Sequence, residues 1–151
     1  MNVLNSLNKE IKNASEKIRN IANDDENCRL LTSIPSIGYY SALLILSEVG
    51  DISRFPDSQH LCSYAGLIPS THSSGGVTYH GTITKRGSKY LRWVMIECTH
   101  VHIRTAPESN VAKFYAKMAR KKGKQKAVVA AASKLLKVAY CVMKERTKYH
   151  G

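Results

Sequence analysis

Two serines stand on two glycines in the stretch SSGGVTYHGTITKRGSKYLRW, residues 73 to 93. A β-patterned run follows, and then Lys85, Arg86, Lys89 and Arg92 arrive within eight residues. Two chemistries fit these residues: a surface turn leading into an ordinary cationic helix, or a serine nucleophile beside a phosphate clamp. A serine hydroxyl attacks only when a base takes its proton or the developing charge is strongly stabilised. No base is identifiable by spacing, since His72 and His80 are merely nearby. From residue types alone, Ser-Ser-Gly-Gly is the composition of a turn. Lys85, Lys89 and Arg92 fall at i, i+4 and i+7, which predicts a shared helix face with Arg86 alongside.

Other combinations offer less. CTHVH holds Cys98, His100 and His102, but alternate helical residues point about 200° apart and do not converge on one ion. No close pair of acids suggests two-metal phosphoryl transfer, so no metal site is expected within these residues. Cys28, Cys62, Cys98 and Cys141 lie far apart with no CxxC pair. Each falls in or beside an apolar helical pattern, where a reduced thiol behaves as a small core residue, and scattered free thiols fit a reducing cytoplasm.

The segment IPSIG, residues 34 to 38, resembles the turn of a helix-hairpin-helix. That motif presents backbone N–H groups at the start of its second helix, which hold a phosphate oxygen without reading bases. Ser36 and Gly38 are the candidate positions here, with Ser36 standing where the motif usually has glycine. The alternative is a plain αα-hairpin punctuated by proline and glycine. ARKKGKQK, residues 119 to 126, adds five cations at a helix junction, with Lys121 and Lys122 as candidate phosphate contacts.

The charge balance favours a polyanion. The chain of 151 residues carries 23 Lys+Arg against 11 Asp+Glu, a net charge of +12. Residues 84 to 148 hold 17 of those cations and three acids, Glu97, Glu108 and Glu145, so few cations have an i,i+4 partner. Self-repulsion of this kind is relieved by a phosphate backbone. No apolar run approaches the ~20 residues of a membrane span, and MNVLNSLNKEIKN has no signal-peptide core. A DNA or RNA partner is expected, and no membrane.

These residues must be positioned by helices. Leu4, Leu7, Ile11, Ala14, Ile18 and Ile21 alternate at three and four, the a/d seam of a coiled coil. The seam meets either the rest of the chain or another subunit. Two short helices are expected around IPSIG, then a helix starting near Pro56-Asp57 and ended by Gly66. Residues 69 to 83 are irregular, with VTYHGTI able to form a small hairpin. A helix over about 86 to 105 capped by Thr84 is expected next, bearing Leu91, Val94, Met95, Cys98 and Val101 on its apolar stripe. Helices over 108 to 121 and about 125 to 148 complete the chain, the last with Val128, Val129, Ala132, Leu135, Leu136, Ala139, Val142 and Met143 inward. The fold class is mainly α: a helical domain containing a helix-hairpin-helix, a small β-like hairpin and an N-terminal coiled-coil helix. The expected division is 1–24 for the coiled-coil helix and 25–151 for the domain.

LLTSIPSIGYYSALLILSEVGDISRF, LCSYAGLIPSTHSSGG and GTITKRGSKYLRW, in that order, closely resemble the C-terminal domain of the IS110 transposase family, which includes IS1111 and Piv/MooV invertase branches. The resemblance runs from about residue 28 to 143. It implies a DNA recombinase whose full-length members carry an N-terminal RuvC-like DEDD domain binding divalent metal (magnesium), joined by a coiled coil. It implies dimers and tetramers on DNA, guided by a structured RNA. The family serine before glycine falls on Ser74, the residue held to attack the phosphodiester and carry the strand as a phosphoserine. The motif ITKRG…LR falls on Ile83 to Gly87 and Leu91-Arg92. The DEDD acids have no counterpart here, so the chain resembles a C-terminal fragment, inactive without that domain. A non-catalytic helix-hairpin-helix nucleic-acid-binding module and a purely structural dimerisation piece are the competing readings.

Overall fold

The computed structural model describes residues 2–74, 77–83 and 87–150, with the backbone alone described over 69–83. The protein is mainly helical. In chain order it contains α1 (Asn2–Asp24), α2 (Glu26–Leu31), α3 (Tyr39–Val49), a short 3-10 turn (Ile52–Arg54) and α4 (Ser58–Tyr64). Strands β1 (Pro69–Ser74) and β2 (Val77–Ile83) follow, then α5 (Lys89–Thr105), α6 (Asn110–Lys122) and α7 (Lys124–Glu145).

Local chemistry sets the helix starts. Asp25, Asp57, Ser88 and Ser109 each accept a backbone N–H from three residues on, capping α2, α4, α5 and α6. Two of these caps correct the sequence expectation. Asp57 is the cap of α4 and not part of its first turn, so Pro56 lies outside the helix. The helix expected from about residue 86 begins at Lys89 under Ser88, because Gly87 at φ +92 cannot continue a right-handed helix. α4 ends at Gly66 in a Schellman arrangement: Gly66 N–H donates to the Ser63 carbonyl and Leu67 N–H to that of Cys62, each at 2.9 Å.

The core is organised on α7. Ala127, Val128, Ala131, Ala132, Leu135, Leu136, Ala139, Tyr140, Val142 and Met143 are buried along it. It packs against α2, α4, α5 and α6. The buried Tyr140 hydroxyl donates to the carbonyls of Phe55 and Pro56, both 3.1 Å away, pinning the segment that enters α4. Against this body α3 buries Ala42, Ile45 and Val49, and α5 buries Leu91, Val94, Met95, Cys98, Thr99 and His102. Val101, expected on that stripe, is 36% exposed, and His102 stands inside instead.

α1 is different. Ala22 is its one buried residue among those described, while Leu4, Leu7, Ile11 and Ile21 are more than half exposed. It is tied to α3 by the Tyr40 hydroxyl, which donates to Ser15 Oγ at 2.6 Å, and by Arg19 lying over the Tyr39 ring. The strands pair antiparallel, with Ser74 opposite Val77, Ser73 opposite Thr78 and Thr71 opposite His80, and an irregular register near Pro69.

Candidate functional site

The turn between α2 and α3 holds Ser36 and Gly38. Ser36 adopts φ +92, a left-handed conformation that disfavours any residue with a side chain by roughly 1–2 kcal/mol. That is the physical reason a glycine is usual at this place in the motif. The turn is fastened from behind by His102 on α5. Its Nδ1–H donates to the Pro35 carbonyl at 2.6 Å, and Ser36 Oγ lies 3.4 Å from the same nitrogen. In that tautomer the Nε2 lone pair is left to accept from the Ser109 hydroxyl, 2.9 Å away. Ser109 Oγ in turn accepts from Ala112 N–H at the start of α6. One buried histidine thus joins the hairpin turn to a helix cap, a role hidden by its CTHVH neighbours. The signal was the four-residue step from buried Cys98.

Gly38 is the N-cap of α3, extended at φ −87 and ψ 179, with no side-chain cap. A Cβ at Gly38 would meet nothing within 4 Å. The first N–H groups of α3, which have no partner within their own helix, therefore start at an open surface.

The cationic motif is held at its root. A Cβ on Gly87 would collide with the Tyr64 carbonyl oxygen, so glycine is required there by contact as well as by φ. Ser88 N–H donates to that same carbonyl at 2.9 Å. The Ser88 hydroxyl donates to Glu48 Oε2 at 2.6 Å and accepts from Leu91 N–H. Arg92 extends to the Ala65 carbonyl at 3.1 Å, so its guanidinium is half-buried against the end of α4. Lys89 is exposed, with its ammonium 5.0 Å from the centre of the Tyr90 ring. Glu48 and Tyr64 are positioning residues that spacing could not identify, because they come from α3 and α4.

Lys121 and Lys122 are exposed in the last turn of α6, where cations also complement the helix dipole. Of the expected four-cation face, Lys89 and Arg92 lie on α5, and Lys85 and Arg86 lie outside the described residues. Ser74 ends β1, and the two glycines after it lie outside the described residues. Among the described residues the ion pairs are His60–Asp57, Lys113–Glu108 and Arg146–Glu26. None of them draws on Lys89, Arg92, Lys121 or Lys122.

Thiol chemistry finds little support in the packing. Burial pushes the thiols of Cys28, Cys62 and Cys98 above their ordinary range, which suppresses the nucleophilic thiolate. Cys141 corrects the expectation of a core residue, since it is exposed on α7. No three His, Cys, Asp or Glu side chains among the described residues are grouped to hold a metal ion, and none of the described helices is long and apolar enough to cross a membrane.

Residues 28–116 match the Transposase IS116/IS110/IS902 family. The chain belongs to that family. The matched span covers the hairpin turn, both strands, the cationic motif and the start of α6. Among relatives, the transposase for insertion sequence element IS1111A of Coxiella burnetii is 31% identical, over 97% of this chain and 43% of its own length. The transposase for IS1328 of Yersinia enterocolitica is 32% identical over 64% of this chain and 29% of its own length. The pilin gene-inverting protein of Moraxella bovis is 33% identical over 80% of this chain and 38% of its own length. The chain therefore spans less than half the length of each of these relatives.

Proposed function

We propose that the chain is the DNA-binding serine part of an insertion-sequence transposase, cleaving and rejoining DNA strands through a phosphoserine at Ser74. The observation that carries this is the family match over residues 28–116, which includes Ser74 together with the anchored Gly87-Ser88 pair and the cations around it. The Ser74 hydroxyl gives its proton to a base and forms an O–P bond to the scissile phosphate. The P–O bond to the leaving deoxyribose oxygen breaks, and that oxygen takes up a proton. Rejoining reverses these steps with a new strand hydroxyl as nucleophile and Ser74 as leaving group.

The cations stabilise the charge that builds on the phosphorus oxygens in this step. Lys89 is free to reach a phosphate, and Lys85, Arg86, Lys121 and Lys122 add backbone contacts. The open N-terminus of α3 at Gly38, with the Ser36 turn behind it, is a further phosphate seat of the helix-hairpin-helix kind. The described residues of this chain do not group into a magnesium site. We place that metal, and the group activating Ser74, in a RuvC-like domain outside these residues. The exposed α1 seam joins a second subunit in a dimer or tetramer, a structured guide RNA selects the DNA, and the assembly works in the cytoplasm.

Denaturing gels of end-labelled DNA with the complete transposase test this proposal. Ser74→Ala abolishes strand cleavage and the covalent protein–DNA adduct while DNA affinity stays nearly intact, because one neutral hydroxyl contributes little beside many cations. An adduct lost with Ser73→Ala instead moves the nucleophile by one residue. An adduct indifferent to both substitutions removes the serine mechanism and leaves a non-catalytic nucleic-acid-binding module.

A further inference from the structure

The first turns of α5 carry Lys89, Tyr90 and Trp93 on the side opposite the buried Leu91, Val94 and Met95. Tyr90 is 54% exposed and Trp93 58% exposed, and with Lys89 they line one shallow, apolar depression. At i, i+3 and i, i+4 spacing the three side chains share one helix face. An indole left this open is uncommon, since tryptophan is among the most buried residues on average. Lys89 lies over the Tyr90 ring, so the patch joins an aromatic surface to a positive charge.

We propose that Tyr90 and Trp93 form a stacking platform for unpaired DNA nucleotides, with Lys89 holding the adjoining phosphate. Aromatic faces beside cations are the arrangement that binds single strands, because every base has a π-face and the cation follows the backbone. Bases inside a duplex already stack on their neighbours, so the platform selects nucleotides that have left the helix. A second copy of the chain is disfavoured as occupant, because cation-bordered patches on two chains of net charge +12 repel. Glu97 stands one turn beyond Trp93 and is exposed, so a bound strand leads from Trp93 toward the Ser88 end of α5 and not toward its C-terminal end. The proposal rests on the DNA-transposase reading above: strand exchange leaves nucleotides unpaired beside the break, and the platform follows directly in the chain from the strands that carry Ser74.

Trp93 is the single tryptophan of the chain, so its emission reports the platform alone. The 151-residue chain is titrated with a mixed-sequence single-stranded DNA, the matching duplex and the matching RNA, with anisotropy of labelled nucleic acid as an independent measure of binding. Single-stranded DNA quenches Trp93 strongly and the duplex does not. Trp93→Ala and Tyr90→Ala each weaken single-strand affinity roughly tenfold to a hundredfold, whereas Trp93→Phe keeps most of it and duplex affinity barely moves. Thermal melts confirm that these exposed substitutions leave the fold intact. If both DNAs bind while emission and Trp93→Ala affinity stay unchanged, the platform is overturned and the DNA-binding reading stands. If neither binds by anisotropy, that reading fails and takes the platform with it. Emission that shifts with protein concentration alone means a second copy covers the patch, and quenching by RNA at least as strong as by DNA removes the assignment to DNA; both outcomes overturn the proposal.

Discussion

α1 and α7 are helices of 23 and 22 residues, and both carry an apolar stripe at helical spacing. Ten side chains of α7 are buried, and one of α1. The stripe of α7 alternates small and large residues, Ala131, Ala132, Leu135, Leu136 and Ala139, which lets several helices approach it closely. The seam of α1 is narrow, strictly heptad and flanked by polar residues, which suits one partner helix. Apolar periodicity therefore says that a face must be covered. The width and size pattern of the face say by how much.

The largest effect is expected on α7. Leu135 is fully buried, and Leu135→Ala should cost about 2–5 kcal/mol of folding stability, read from urea unfolding. A smaller loss would mean that α7 is not the centre of the body. The seam should behave in the opposite way. Leu7→Asp with Ile11→Asp should convert an oligomer to a monomer in light scattering, while stability of the helical body changes by no more than about 0.5 kcal/mol. A wild-type chain already monomeric in light scattering breaks the comparison, because α1 would then have no partner for its seam. The smallest effect separates two faces of the core helices. Under native conditions a thiol reagent should modify Cys141 quickly, and Cys28, Cys62 and Cys98 only after denaturation, since burial keeps those three protonated and covered. Equal rates at all four thiols would show that the body opens as a whole.

Much of this fold was legible in the residues. The heptad of α1, the stripe of α7 and the stop at Gly66 rest on interactions within about four residues, which spacing records directly. The errors came where a remote group intervened. Thr84 reads as a cap as plausibly as Ser88 does, until Gly87 is seen pressed on the Tyr64 carbonyl with Ser88 bonded to Glu48. Val101 reads as core and His102 is not placed on the α5 stripe, until Pro35 and Ser109 supply partners for both imidazole nitrogens. The candidate Ser74 became legible through resemblance to a family, since Ser-Ser-Gly-Gly alone is the composition of a turn.

By itself the sequence determined the helical class, the excess of cations without acidic neighbours, the heptad seam and the order of the three motifs that mark the family. Each is a property of residue type and local spacing, which folding does not alter. Tertiary structure decided the rest. It set the left-handed Ser36 turn against a buried histidine from α5, rooted the cationic motif on carbonyls of α4 and a carboxylate of α3, and left Tyr90 and Trp93 uncovered beside Lys89. The first two depend on groups 24 to 67 residues apart in the chain. Spacing along one helix carries no information about what another helix brings to it, and only packing around α7 closes those distances.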